Sequence, residues 1–241
     1  MSVREWFVTP DVSRSANRFR AWSEREYLST ADDYANRDQT VWSNPTGTAR
    51  ALHELVLDCR PFRVLELGAG TGRYFPFLRG QKYIGVDICS AMLRHARARS
   101  GILKEHGFSE VTVVEDEVMR FLELPEHHGA FDFVFSIGCV GYHVPVNRRL
   151  MQQIHTVLTP GGRLFLQTTQ QSVWRRARAW SRHGLDWLLG RQSDYNFFVS
   201  TTERRLRRLA HATQFDTEWV REDTRRFFGQ PILLSSYRKP S

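Results

Sequence analysis

Apolar residues along the chain follow two spacings, and the way these alternate predicts the fold. Five short runs are nearly continuously apolar: FRVLEL (62–67), KYIGVD (82–87), VTVVED (111–116), FDFVFS (131–136) and GRLFLQT (162–168). Runs of that length bounded by turn residues read as strands covered on both faces, since a sheet with one wet face would alternate polar and apolar. Between them lie helix-spaced stretches. From Thr46 to Cys59, the residues Ala49, Leu52, Leu55 and Val56 fall on one face of a 3.6-residue period. A second helix, around Met151 to Leu158, is predicted to stop at TPGG (159–162). Pro160 cannot continue it, and the two glycines accept positive φ. Parallel strands need long crossovers, and right-handed helical crossovers cover both faces of the sheet. The predicted fold class is therefore α/β, a Rossmann-like doubly wound sheet.

The flanks are built differently. The first forty-five residues are polar and aromatic with helical spacing and end at SNPTGT (43–48), which predicts an N-terminal helical cap over 1–45 before a main domain over 46–241. Residues 170–200 break the strand and helix rhythm and predict a helical insertion after the fifth strand, a candidate lid. A charged helix at 201–212 follows, then FDTEWVRE (215–222) and PILLSSYRK (231–239), two closing strands joined as a hairpin.

Composition narrows the setting. A chain of 241 residues with 41% hydrophobic content can bury a full core, in one domain with additions. No run of eighteen apolar residues occurs, and the first fifteen residues carry charges where a signal peptide needs an apolar run. A cytoplasmic protein without a membrane partner is expected. Cys59, Cys89 and Cys139 are widely spaced and lack any metal-ligand pattern, so no metal is expected. The net charge of +8 fits a nucleic-acid partner, an acidic substrate or solvated arginine-rich helix faces, and does not choose among them.

The chemistry concentrates in VLELGAGTGR. Gly68, Gly70 and Gly72 stand where the first strand turns into the next helix, and glycine there lets backbone approach a ligand closely. A dinucleotide fingerprint needs glycine at position 73, where this chain has Arg73, and no Gly-Lys-Ser/Thr ends the loop as a triphosphate cradle requires. Asp87, nineteen residues after Gly68, ends the second strand and can accept hydrogen bonds from two ribose hydroxyls. A nucleoside ligand is indicated.

VLELGAGTG followed by YIGVD, VVEDEV, FDFVFSIG and VLTPGGRLFLQT resembles the class I S-adenosylmethionine-dependent methyltransferases, from about residue 46 to the end. The resemblance implies a seven-stranded sheet with its last strand antiparallel, and S-adenosylmethionine across the strand ends. It implies that Glu66 and the loop Gly68, Ala69, Gly70 and Gly72 lie along the methionine part, that Asp87 binds ribose and that Ile88 touches adenine. Asp116, with Glu117 beside it, would meet the adenine amino group, and Ser136 and Ile137 would offer backbone carbonyls to the cofactor's amino group. Tyr34, with Tyr27, lies where relatives place an aromatic near the cofactor. An Asn-Pro-Pro-Tyr signature, typical of enzymes that methylate nitrogen in nucleic acid and protein, is missing after FDFVFS.

These resemblances point to methyl transfer to an oxygen or nitrogen of a small organic acceptor, such as a secondary metabolite. The alternatives are an RNA methyltransferase using the arginines at 175, 176, 178, 182, 204, 205, 207 and 208, and a non-catalytic protein that only binds the cofactor. His143 is the candidate base for a hydroxyl acceptor, with a structural role as its competing assignment, and Tyr142 is a candidate pocket wall or hydrogen-bond donor. The tryptophans, Trp6, Trp22, Trp42, Trp174, Trp180, Trp187 and Trp219, all lie outside 43–173, either as an aromatic cover over the acceptor or as packing for the added helices.

Overall fold

A computed structural model of the chain describes residues 27–170, 201–227 and 230–241. The predicted insertion and lid, residues 1–26 of the predicted cap, the arginines at 175–182 and Trp6, Trp22, Trp174, Trp180 and Trp187 lie outside the described residues. Seven strands form one sheet: β1 (Arg63–Leu67), β2 (Lys82–Asp87), β3 (Glu110–Glu115), β4 (Phe131–Ile137), β5 (Leu158–Thr169), β6 (Asp216–Phe227) and β7 (Gln230–Arg238). Their order is β3-β2-β1-β4-β5-β7-β6. The first five run parallel, and β7 is antiparallel to both β5 and β6. The chain leaves β1 toward one edge and returns to β4 on its other side. That reversal opens a crevice at the carboxyl ends of β1 and β4, where doubly wound folds bind ligands.

Helices cover both faces. In chain order they are α1 (Ala31–Ser43), α2 (Gly47–Cys59), α3 (Ser90–Ala98), α4 (Ser100–Glu105), α5 (Val118–Leu122), α6 (Arg148–Val157) and α7 (Glu203–Ala212). The pleat sends Val64 and Leu65 into opposite cores. On one side Val64, Phe133, Phe135 and Phe165 meet Leu52 and Val56 of α2. On the other, Leu65, Val134 and Leu164 meet Phe121, Leu150, Ile154 and Leu206 of α5, α6 and α7. The predicted face of α2 is buried throughout, at Ala49, Leu52, Leu55 and Val56. Its start is fixed by the Thr46 hydroxyl, which accepts the Ala49 N–H at 3.0 Å. Asn147 and Thr202 cap α6 and α7 in the same way, and each such cap contributes about 1 kcal/mol. Among the described residues no helix is long and apolar enough to cross a membrane.

Three local expectations are corrected. The glycine loop does not run into an α-helix but into a single 3₁₀ turn, Phe75–Phe77. Pro76 supplies no N–H to extend it, and Phe75 and Phe77 are buried as anchors. TPGG is not a turn before β5 but part of that strand, with Leu158 already paired to Phe131 and a register shift before Phe133. Only Gly161 of its two glycines has positive φ, at 76°. The distant Lys239 shapes this stretch by exchanging backbone hydrogen bonds with Gly161 (3.0 Å) and Gly162 (2.8 Å), which a local pattern cannot show. Finally β3 has no buried residue, because it is the edge of the sheet.

Candidate functional site

The site is assembled where β1, β2 and β4 end. Gly68 leaves β1 at φ 83°, and a side chain there would overlap the Cβ of Cys139 from the segment after β4. Glycine is thus required by both the turn and the close approach. The N–H groups of Gly68 and Ala69 both donate to the Val86 carbonyl, at 2.7 and 3.1 Å, which clamps the loop to the end of β2. Gly70, at φ 52°, faces the other way: a Cβ built on it meets no atom within 4 Å. Gly72 closes the loop by donating to Ala69 O at 3.0 Å.

Asp87 locks that loop. Its Oδ2 accepts the Gly70 N–H and its Oδ1 the Cys89 N–H, both at 2.9 Å. Burial pushes its carboxyl above the usual range, and N–H bonds from Cys89, Gly70 and Ile88 pull it back toward the charged form. Three backbone donors do not exhaust the lone pairs of the two oxygens, so the carboxylate can still accept from a ligand. An open face at Gly70 beside a strand-end carboxylate fits a nucleoside. The 3₁₀ turn adds a further distinction: a dinucleotide pyrophosphate rests on the N-terminus of an α-helix after the glycines, and no such helix stands here.

The remaining predicted residues divide. Ile88 is half-buried directly after Asp87. Asp116 donates its N–H to Asp87 O at 3.0 Å, which brings the end of β3 to the same rim. Its Oδ1 accepts the Glu117 N–H at 2.8 Å, and burial, together with Asp116 and Glu123, raises the Glu117 carboxyl. Ser136 is fully buried and tied structurally: its hydroxyl donates to Leu67 O at 2.7 Å and accepts the Val140 N–H at 3.0 Å, joining the ends of β1 and β4. Ile137 is buried in the core on the α2 side. Glu66 points inward and accepts the Tyr83 O–H at 2.5 Å. Burial raises its carboxyl to about 8, against the opposing hydrogen bond from Tyr83.

The turn after β4 carries both candidate catalytic residues but sends them apart. Tyr142 is buried, its phenol pushed up by burial and by the nearby Tyr74 and Asp223. His143 is half-buried, with Nε2 3.2 Å from the Tyr27 hydroxyl. Tyr27 stacks edge-to-face on Tyr34 at 5.7 Å, and burial, Tyr34 and Asp87 raise its phenol. Tyr27, Tyr34 and His143 thus gather on the Asp87 side of the crevice. Trp42 and Trp219 both pack on the core of the α2 face.

Sequence reasoning missed Asp38 and Tyr83. Asp38 is fully buried and meets Thr71, Arg73 and Arg99. A signal existed: Asp38 shares the inner face of α1 with Ala31 and Ala35, at i, i+4 and i+7. Among the described residues, no group of three or more His, Cys, Asp or Glu side chains could hold a metal ion.

A family model for the methyltransferase domain matches residues 33–218. The chain belongs to this family. Its sheet order, antiparallel last strand and glycine loop are those of the class I S-adenosylmethionine-dependent methyltransferase fold. The chain is 30% identical over 171 residues to the biotin biosynthesis bifunctional protein BioHC of Cellvibrio japonicus, covering 65% of this chain and 32% of that protein. It is 25% identical to the "Probable tRNA methyltransferase 9B" of Bos taurus, covering 58% of this chain and 27% of that protein. The match therefore spans a third or less of either curated relative. Magnesium protoporphyrin IX methyltransferase of Synechocystis PCC 6803, solved with bound S-adenosylhomocysteine, superposes with a TM-score of 0.62 at 18% identity, covering 91% of this chain and 99% of that one.

Proposed function

We propose that the methyltransferase moves a methyl group from S-adenosylmethionine to an oxygen or nitrogen of a small organic acceptor. The observation that carries the donor assignment is the Asp87 carboxylate fixed on the Gly70 N–H beside the open face of the loop. In this assignment Asp87 accepts from the ribose hydroxyls, with Ile88 against the base and Asp116 and Glu117 at its amino group. Gly68 to Gly72 and Glu66 border the methionine part. Tyr34 covers it from α1, and Ser136 and Ile137 offer their carbonyls. When bound, the sulfonium supplies an already electrophilic methyl group, so the protein's task is alignment and exclusion of water.

His143 receives the proton that leaves the acceptor heteroatom. Its Nε2 lies 3.2 Å from the Tyr27 hydroxyl, a contact that orients the imidazole for that proton transfer. Burial keeps Tyr27 a neutral phenol, which suits that role. The buried Tyr142 walls the acceptor side.

A small acceptor is supported by the names of two of the similar proteins, given for biotin biosynthesis and magnesium protoporphyrin IX methylation. One observation favours RNA instead: Arg204, Arg205 and Arg208 of α7 are exposed, and the cattle relative is named for tRNA. Methyl-labelled cofactor incubated with the protein and cell extract, then separated into small-molecule, RNA and protein fractions, decides between them. Label in the small-molecule fraction is expected, and label in RNA would reject the proposal.

A further inference from the structure

The proposed chemistry leaves Asp38 without a task, although it is one of the most completely engaged charges in the protein. Its side chain is fully buried in α1, and three side chains from outside that helix converge on it. Thr71 donates its hydroxyl at 2.5 Å, Arg99 its Nη1–H at 2.6 Å, and Arg73 its Nε–H. Arg99, just past α3, also donates to the carbonyls of Thr71 (2.9 Å) and Ala35 (2.7 Å), and its guanidinium lies 4.9 Å from the Trp42 ring centroid. Trp42 completes the ring by donating its Nε1–H to Arg73 O at 2.7 Å.

The bonds from α1 land on the glycine loop itself. Thr71 and Arg73 flank Gly72, and Thr71 directly follows the open Gly70. A buried carboxylate facing two guanidiniums contributes little net stability over an apolar contact, but it imposes a register that an apolar contact does not. Charge-assisted bonds to the side chains of both loop residues hold the loop far more narrowly than packing on Ala31 and Ala35 would.

We propose that Asp38 is a positioning residue: it fixes the glycine loop from α1 in the shape that holds S-adenosylmethionine, so cofactor binding and the docking of α1 are coupled. The proposal rests on the methyl-donor assignment above. By reciprocity, whatever loosens α1 from the loop weakens cofactor binding by the same factor that cofactor tightens α1.

The test is calorimetric titration of the full chain with S-adenosylhomocysteine, alongside the melting temperature of each unliganded variant. Asp38→Asn, close in shape but uncharged, should weaken binding at least about tenfold, since displacement of a positioning shell by ~1 Å is costly. Asp33→Asn, exposed on the same helix, should bind within twofold of wild type. Leu55→Ala, buried in α2 and making none of the network's hydrogen bonds, should lower the melting temperature at least as much as Asp38→Asn and still bind within twofold. A merely structural Asp38 would instead leave Asp38→Asn within twofold, or make Leu55→Ala lose affinity in step with its stability, and either result overturns the proposal. If Asp38→Asn gives no cooperative melt, Thr71→Val is read in its place: threefold or greater weakening supports coupling, and less than twofold rejects it. Absence of binding by wild type would reject the donor assignment itself, a failure distinct from a variant that binds as wild type does.

Discussion

The strand ends that carry Asp87 and the turn after β4 that carries His143 hold their polar groups in different ways. At the strand ends proposed for the donor, Asp87, Glu66 and Ser136, with Asp38 of α1 beside them, each share at least one hydrogen bond with another segment, and three of the four are fully or almost fully buried. In the turn from Cys139 to Val144, proposed to face the acceptor, three N–H groups converge on the Cys139 carbonyl, Ser136 and Thr169 tie Val140 and Gly141 to β4 and β5, and His143 is half-buried beside Tyr27. The lesson is a division of labour. Fully buried, hydrogen-bonded groups suit a constant ligand, and a half-buried His143 allows the acceptor to differ while the donor stays the same.

The most severe way to break this division is to remove the proposed base. His143→Ala should lower kcat about a hundredfold or more with a hydroxyl acceptor, with S-adenosylhomocysteine affinity unchanged. Equal loss of cofactor affinity would show that the two ends are not separable.

A smaller effect sharpens the donor end. In the folded protein the Glu66 carboxyl keeps its proton up to about 8, whereas the unfolded chain releases it near 4.5. Between those values the folded state binds more protons, so this group's contribution to stability is present at low pH and is lost as pH rises toward 8. Glu66→Gln keeps an acceptor for the Tyr83 hydroxyl and removes the titration. The wild type should therefore lose about 3 °C or more of melting temperature relative to Glu66→Gln between pH 5 and pH 8.5. Parallel melting curves for the two proteins would contradict the buried, protonated state.

The smallest effect is expected far from both ends. Arg204 and Arg208 on α7 are exposed, and converting both to Gln should change cofactor affinity and turnover of a small acceptor by less than twofold, measured at low and high salt. A strong loss that salt mimics would move the acceptor assignment toward nucleic acid.

How much of this was legible in the sequence follows the same division. The strands and the loop are local signals, because the apolar runs and the glycines each answer to neighbours in the chain. KYIGVD predicted β2 to the residue, with Asp87 as its last residue. Arg73 showed only what the loop is not. Its partner Asp38 lies 35 residues earlier, and a helix sequence holding Asp32, Asp33 and Asp38 does not say which carboxylate turns inward until the fold brings Arg73 and Arg99 to it. Tyr83 was hidden likewise, since a strand tyrosine reads as core until Glu66 is placed beside it. Tyr142 and His143 are named as candidates by their position after β4, yet their divergence depends on the fold of that turn.

The central claim is that the Gly70 and Asp87 pair is a methyl-donor site, and the direct measurement is calorimetric titration with S-adenosylhomocysteine and, separately, with NAD, for wild type and Asp87→Ala. The account predicts one-site binding of S-adenosylhomocysteine to wild type, at least about a hundredfold weaker binding to Asp87→Ala because a buried acceptor set is lost, and no binding of NAD to either. Binding of NAD by wild type, or equal S-adenosylhomocysteine affinity in the two proteins, would contradict it.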